Sequence, residues 1–386
     1  MSPSRLDTDL RDRLHALDRA GLLRDTPTLS HPEPPFANRN GRRVLVFCSN
    51  DYLGLAAHPE LRAALAAPTA ELGATASRLI AGTRPAHHAL EARLAAFVEQ
   101  PAALLFSTGY AANVGALSAL IGAEDVAFSD RLNHASVIDG LRLARGATHV
   151  YAHADPDDLE RLLRRHRGTG AAWIVTDAVF SMDGDLAPLT ELRRLADRYG
   201  AYLYVDEAHA LGVLGAGRGL AIDEDARADV VVGTLGKAFG VAGAFVAGPR
   251  SLRTYLENRA RSYVFSTAPP LPLLAATARA LDLVRDASQR RARLRRLADQ
   301  LRAGLRQQGH DVRMDPTPIV PLPVGAPEQA MALERALLER GLYARGIRPP
   351  TVPPGTSRLR LVPTAAHRSA HVEALLSAIR DAHEAP

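Results

Sequence analysis

Apolar residues recur at helical spacing over residues 5–24 (Leu6, Leu10, Leu14, Leu17), and the Pro-rich stretch HPEPPFANRNG then breaks the pattern. Residues 1–45 are therefore read as an N-terminal helical arm. From Ala102 onward, short apolar runs alternate with amphipathic ones. ALLF, DVAFSD, AAWIVTDAVF and AYLYVDEA predict strands; YAANVGALSALIG, HASVIDGLRLARG, DPDDLERLLRRH and PLTELRRLADRYG predict helices, with Asp155 placed to cap the third. Strands that are apolar throughout, each followed by a helix, predict an α/β fold whose mainly parallel sheet is covered by helices on both faces. Ligands of such sheets sit beyond the carboxyl ends of the strands. DVVVGTLG and AGAFVAG have no helix between them, so strict alternation stops there. An Arg-rich helical pattern near 285–308 leads into a smaller α/β unit built from IVPLPVG, PEQAMALERALLERG, SRLRLVP and a final helix. The expected units are a large domain over 46–285 and a small C-terminal domain over 286–386.

Composition narrows the class without deciding it. With 47% hydrophobic and 23% charged residues, 386 residues suffice for a large core, and disorder is excluded. A net charge of +5 raises the question of nucleic acid. The arginines are scattered, however, and the densest run (Arg290, Arg291, Arg293, Arg295, Arg296) lies in a helical pattern, so it is read as a solvated face and no nucleic-acid partner is expected. Cys48 is the one cysteine, which excludes an intrachain disulfide, and no metal site is expected. Neither an apolar signal core nor a run of about 18 apolar residues is present, so the expectation is a cytoplasmic protein with no membrane partner.

Of 47 lysines and arginines, only Lys237 is lysine, and it stands in GTLGKAFG between apolar stretches. Guanidinium stays charged, whereas a desolvated amine loses its proton and attacks carbonyls. A Schiff-base lysine points to pyridoxal phosphate, which needs an acid at its ring nitrogen, a ring stacker, a phosphate cradle and a recogniser for the substrate carboxylate. Asp206 in YLYVDEAHALG, at the end of an apolar strand, offers the acid, with a helix cap as its alternative. His209 offers a donor to the phenolic oxygen, with a structural histidine as its alternative. FSTGYAAN leads a strand into a helix start, where Gly109 allows close approach of an anion, and Thr234 adds a hydroxyl. His134 follows a strand and suits a ring stacker; Ser181 and Asp183 lie in the turn FSMDG. Arg358 and Arg360 fall on one face of SRLRL, where a bidentate arginine suits a carboxylate. DEAH (Asp206 to His209) also matches a helicase box, but Val231 and Ala238 stand where a P-loop needs Gly and Ser/Thr. GAGRGL has Leu220 at the third glycine position of a dinucleotide fingerprint and is read as a turn.

SNDYLGL (49–55), SRLIAGTRPAHHALE (77–91), FSTGYAAN (106–113), DRLNHAS (130–136), FSMDGDLAPL (180–189), VDEAHALGVLG (205–215), GTLGKAFG (233–240), FSTAPP (265–270) and GIRPPTVPPGTSRLRL (346–361) together resemble the α-oxoamine synthases. These are enzymes of the PLP-dependent transferase fold type I. The resemblance implies that Lys237 holds the cofactor, Asp206 its ring nitrogen, and His209 and Ser181 its phenolic oxygen, while His134 stacks on the ring. It implies that Gly109, Tyr110 and Thr234 bind phosphate, with Thr267 donated by the second subunit of a homodimer whose active site lies at the subunit interface. Arg24, Asn50, Thr351 and Arg360 resemble substrate-binding positions. The run IRPPTVPPGTSRLRL is most like the member of biotin synthesis that joins L-alanine to a pimeloyl thioester, carried on CoA or acyl carrier protein, with loss of carbon dioxide. Members using glycine or serine share the cofactor residues, so substrate choice rests on that run. Thr75 stands where glycine is expected and Leu211 where threonine or glycine is expected, which leaves acyl-chain or amino-acid preference open.

Overall fold

The computed structural model describes residues 4–384 except 21, 25 and 68–70. A seven-stranded sheet forms its centre, from β1 (Ala102–Phe106), β2 (Val126–Asp130), β3 (Ala147–Tyr151), β4 (Ala172–Asp177), β5 (Ala201–Asp206), β6 (Val230–Thr234) and β7 (Ala244–Gly248). Their order across the sheet is β1-β7-β6-β5-β4-β2-β3. β6, β5, β4, β2 and β3 pair in parallel, and β7 runs antiparallel to both β6 and β1. The missing helix between DVVVGTLG and AGAFVAG has this consequence: the chain turns straight back, and Lys237 lies in the turn. Alternate residues enter separate cores on the two faces, with Leu203, Val205 and Val231 on one side and Tyr204, Val230 and Val232 on the other. Apolar runs without alternation are what two buried faces require. β3 was not visible in the sequence because ATHVY is an edge strand, largely open to solvent.

A second sheet orders Val320–Gly325, Ser357–Leu361 and Arg345–Ile347, packed beneath the helices Ser288–Gln307, Pro327–Glu339 and Ser369–Glu384. Its core takes in Leu45 and Phe47. The expected arm is helical only over Arg5–Arg19, not to residue 24, and glycine at position 21 is the sequence's own stop signal. The later part of the arm is extended: Ser30–Glu33, Phe36–Arg39 and Arg42–Val46 pair in turn, and the last of them runs parallel to Leu342–Tyr343. Asn40-Gly41, both at positive φ, supplies the tight turn between the second and third strands. Residues 1–3, 21 and 25 of that arm lie outside the described residues.

Candidate active site

The carboxyl ends of β4, β5 and β6 bring the chemistry together. Asp177 and Asp206 end β4 and β5 in register with each other. Asp206 is buried; its Oδ2 accepts from Asn113 Nδ2 at 2.6 Å and its Oδ1 from the Ala208 N–H at 2.9 Å. Asn113 reaches there from the helix Gly109–Leu120, and its Oδ1 takes the Tyr204 hydroxyl at 2.8 Å. Asp177 is buried beside it, with Oδ2 accepting the His134 N–H at 3.1 Å and Oδ1 without a hydrogen-bond partner among the described residues. Burial, then the neighbouring Asp206 charge, pushes Asp177 well above the usual carboxylate range. Desolvation thus favours the neutral form of Asp177 beside a second carboxyl that is fixed by donors.

Lys237 Nζ lies 2.7 Å from His209 Nε2. Burial lowers the amine to about 8, with Asp206 and Asp177 pulling upward and Arg360 downward. Gly240, at φ +69, lets the turn close: a Cβ there would stand 2.5 Å from the Ala56 N atom. His209 is buried and held well below the imidazole range by burial and by the Lys237 and Arg360 charges. His134 caps the helix Ala135–Leu143, its Nδ1 meeting Ser136 Oγ at 2.8 Å, and the residue is exposed.

Gly109 and Thr234 face one another at the start of the helix Gly109–Leu120, where a Cβ added to Gly109 would lie 3.7 Å from Thr234 Oγ1. That leaves a cradle of helix N–H groups and a hydroxyl for an anion. Tyr110 is on the same turn but largely exposed, its hydroxyl donating to Asp139. From the smaller sheet, Arg360 donates through Nε to the Ser181 carbonyl at 2.5 Å and through Nη1 to Asn50 Oδ1 at 3.0 Å, while its buried Nη2 has no hydrogen-bond partner among the described residues. Arg358 pairs with Asp183 instead. Arg24 donates to Thr351 Oγ1 at 3.1 Å, which joins the arm to the C-terminal run. Thr267 stands apart. It bridges to Ser77 and lines a cavity of about 170 Å³ with Ser107, Leu235 and Gly243. Leu211 is buried in the core over Gly233, so that departure is absorbed by packing. The remaining acid of DEAH, Glu207, is structural, accepting from the Leu220 and Ala221 N–H groups at 2.9 and 2.7 Å.

Tyr52, Asn113, Ser136 and Asp177 belong to this site, yet sequence reasoning had not singled them out. Tyr52 lies inside the quoted SNDYLGL, and Asp177 ends a strand as Asp206 does, which was the available signal. The residues suit a pyridoxal phosphate group: one amine with a lowered pKa, a fixed carboxylate, an anion cradle, and an unpaired buried guanidinium N–H.

The class I and II aminotransferase family model matches residues 42–379. A protein of Anaeromyxobacter dehalogenans named 8-amino-7-oxononanoate synthase is 50% identical over 371 residues, covering 95% of this chain and 93% of its own. One of the same name from Marinobacter nauticus is 48% identical over 379 residues, covering 96% and 95%. The serine palmitoyltransferase of Sphingomonas wittichii superposes with a TM-score of 0.91 at 32% identity, over 98% of this chain and 97% of that one. The 8-amino-7-oxononanoate synthase of Francisella tularensis gives a TM-score of 0.75 at 27% identity, over 88% and 97%. The architecture is thus the PLP-dependent aminotransferase fold, and the chain belongs to the class I and II aminotransferase family, with relatives named 8-amino-7-oxononanoate synthase matching nearly its whole length.

Proposed function

We propose that this chain is a PLP-dependent acyltransferase that condenses L-alanine with a pimeloyl thioester and releases carbon dioxide. One observation carries the chemistry: the single lysine is an amine lowered to about 8 at the carboxyl edge of the parallel sheet, 2.7 Å from a neutral His209. The substrates follow the relatives that are about half identical along nearly the whole chain.

Lys237, Asp206, His209, Ser181, His134, Gly109, Tyr110 and Thr234 are the residues that would hold pyridoxal phosphate. When bound, the cofactor supplies an aldehyde for amines and a ring that accepts the electron pair left at Cα. The protein's own part is charge and proton management. Asp206 holds a negative charge at the end of β5, fixed by Asn113 and the Ala208 N–H so that no reorganisation is needed during reaction. Lys237 Nζ, once unprotonated, takes the Cα proton of the amino acid. Arg360 Nη2 offers a free N–H to the amino-acid carboxylate, and Asn50 orients that guanidinium. Arg24, with Thr351, is assigned the distal carboxylate of the acyl chain.

The proposal includes a cytoplasmic homodimer with the site at the subunit interface and Thr267 lent by the partner. Supporting it, Phe265 is 71% and Ile80 is 81% exposed beside the Ser77–Thr267 bridge, and Leu6, Leu10, Leu14 and Leu17 form an uncovered stripe. Light scattering that returned a monomer would remove this part. The division into a large unit over 46–285 and a small one over 286–386 remains part of the proposal; most apolar residues of the small unit form their own core, but Phe47 joins that core, and Leu294, Ile319, Val362 and Ala365 pack into the large one.

A second reading, serine with a long-chain acyl thioester, is favoured only by backbone likeness to serine palmitoyltransferase, at a TM-score of 0.91. The deciding experiment incubates purified protein and PLP with panels of amino acids and acyl thioesters and measures product mass. Alanine with pimeloyl thioester is expected to turn over fastest; a faster serine–palmitoyl pair would replace the proposal.

A further inference from the structure

Asn113, Ser136 and Asp206 are buried, and one hydrogen-bonded line runs through them to the exposed residue His134. Asn113 Nδ2 lies 2.6 Å from Asp206 Oδ2 and 2.9 Å from Ser136 Oγ, and Ser136 Oγ lies 2.8 Å from His134 Nδ1. The backbone N–H of Ser136 also points at Nδ1, at 3.2 Å. Three elements supply the parts: Asn113 comes from the helix Gly109–Leu120, Ser136 from the helix Ala135–Leu143, and Asp206 from the end of β5.

The direction of each bond is set by groups that act in one way only. A backbone N–H can only donate, so Nδ1 accepts. A carboxylate can only accept, so Asn113 turns its NH2 group toward Asp206, and the Tyr204 hydroxyl at 2.8 Å donates to Asn113 Oδ1. The second hydrogen of that NH2 group is left for Ser136 Oγ. Ser136 thus accepts from Asn113 and has its own hydrogen to give to Nδ1. The opposite arrangement, with a hydrogen on Nδ1 donating to Ser136 Oγ, sets that hydrogen against the Ser136 N–H and makes one bond at Nδ1 where the first makes two. An acceptor at Nδ1 leaves the one hydrogen of an uncharged ring on Nε2.

We propose that Ser136 is a positioning residue for His134: by accepting from Asn113 and donating to Nδ1, it holds the ring in the Nε2–H form. The inference rests on reading His134 as the residue that lies against the cofactor ring. An imidazolium stacked on the protonated pyridine ring that the Asp206 carboxylate favours would meet like charge, and an uncharged imidazole would not. Protonating Nδ1 would set a hydrogen against two donors at once, so the network works against the cation. Other groups bear on the same ring. Partial desolvation opposes its charged form, Asp206 favours that form and Lys237 opposes it, while Asp177 accepts the His134 backbone N–H at 3.1 Å.

Full-length apoenzyme labelled with ¹⁵N-histidine gives a direct test. Two-bond ¹H–¹⁵N spectra of the wild type at about pH 8 are expected to show the His134 ring in the Nε2–H form alone, its signal identified by its loss in His134→Asn. An Nδ1–H form, or the mixture of tautomers that a free imidazole shows in water, overturns the proposal. Ser136→Ala keeps the backbone donor and removes the hydroxyl. With one donor gone from Nδ1, the His134 midpoint is expected to rise by roughly half to one pH unit, which is roughly three- to tenfold more charged ring at a given pH above it. An unchanged midpoint in folded Ser136→Ala also overturns the proposal, because a serine that served packing alone would leave the charge of the neighbouring ring as it was. The wild-type tautomer is read without any change at Ser136, so the test survives a Ser136→Ala protein that folds poorly. Neither readout involves cofactor or substrate, so failure of Lys237 to take up PLP would refute the cofactor reading and leave the Ser136 result standing.

Discussion

Asn113 donates through Nδ2 to Asp206 at 2.6 Å and accepts the Tyr204 hydroxyl at 2.8 Å, which fixes which end of its amide faces the carboxylate. Asp206 therefore keeps its position through a neighbour on a different element, the helix Gly109–Leu120. Asp206→Asn should still be labelled on Lys237 by PLP and borohydride, yet lose roughly 10²–10³ in kcat, the usual loss on deleting one preorganised electrostatic partner. Asn113→Leu should weaken PLP binding and lower stability by roughly 1–3 kcal/mol, because a buried carboxylate oxygen loses its donor. A near-normal kcat in Asp206→Asn, measured at saturating PLP, would move the electronic role elsewhere.

His153 joins Asp130 at 3.0 Å through Nδ1 and Asp185 at 2.6 Å through Nε2, tying the end of β2 to the turn that holds Ser181. Burial opposes its charge, but the two carboxylates prevail and raise it from 6.5 to about 9. Arg313, 3.6 Å from Asp185, and Asp315, which pairs with Arg313 at 3.2 Å, are further charges beside the cluster. The folded state holds this proton more tightly than the unfolded chain, so the stabilisation is complete below about 6.5 and disappears as pH rises through about 9. Discounted for partial solvent access, it is worth about 2 kcal/mol. Urea unfolding at pH 6 should show His153→Gln less stable by about that amount, and the two proteins should converge above about pH 9.5. Parallel pH profiles would contradict the charged clamp.

Thr75 adopts φ 59°, a left-handed backbone that costs a β-branched residue roughly 1–2 kcal/mol. This gives a conformational reason for the glycine expected there, with no appeal to substrate. Thr75→Gly should therefore stabilise the protein by about 1 kcal/mol or less, since glycine also loosens the unfolded chain. Substrate preference should stay as it is, and a changed amino-acid or acyl ranking in Thr75→Gly would return Thr75 to the site.

What the sequence made legible was whatever one strand end or one turn determines. Lys237 and Asp206 sit where single apolar strands terminate, and the Asp155 cap appears as expected, accepting from the Asp157 and Asp158 N–H groups at 3.0 Å. Partners contributed by distant segments were not legible. The Tyr52–His209 contact joins residues 157 positions apart, and nothing local to SNDYLGL announces it. SRLIAGTRPAHHALE likewise shows its logic only when folded: Arg78 and Glu91 form a buried pair at 2.8 Å. β3 escaped because an edge strand with one wet side lacks an apolar run, and the strands from Ser30 to Val46 escaped because they are four or five residues long and lie among prolines and arginines.

The last prediction separates two cations by depth. Arg360 is buried, acts on the charge state of Lys237, and has an unpaired Nη2, which suits the carboxylate of the amino acid that reacts there. Arg24 is exposed on the arm, held to the C-terminal run by Thr351 at 3.1 Å and by the neighbouring Leu23 carbonyl, which accepts Arg348 at 2.9 Å. An acyl chain with a distal carboxylate needs a cation far from the reacting carbonyl, and Arg24 fits that need. Arg24→Ala should raise KM for pimeloyl thioester about tenfold and leave KM for alanine nearly unchanged, because a charge remote from the chemistry contributes mostly uniform binding. Arg360→Lys should do the reverse, raising KM for alanine and lowering kcat, since an ammonium cannot reproduce the planar fork that spans Asn50, the Ser181 carbonyl and a carboxylate. Steady-state kinetics with each substrate varied in turn separates the two. If Arg24→Ala impaired palmitoyl and pimeloyl thioesters equally, its partner would not be a terminal carboxylate, and the long-chain reading would gain at the expense of the dicarboxylic one.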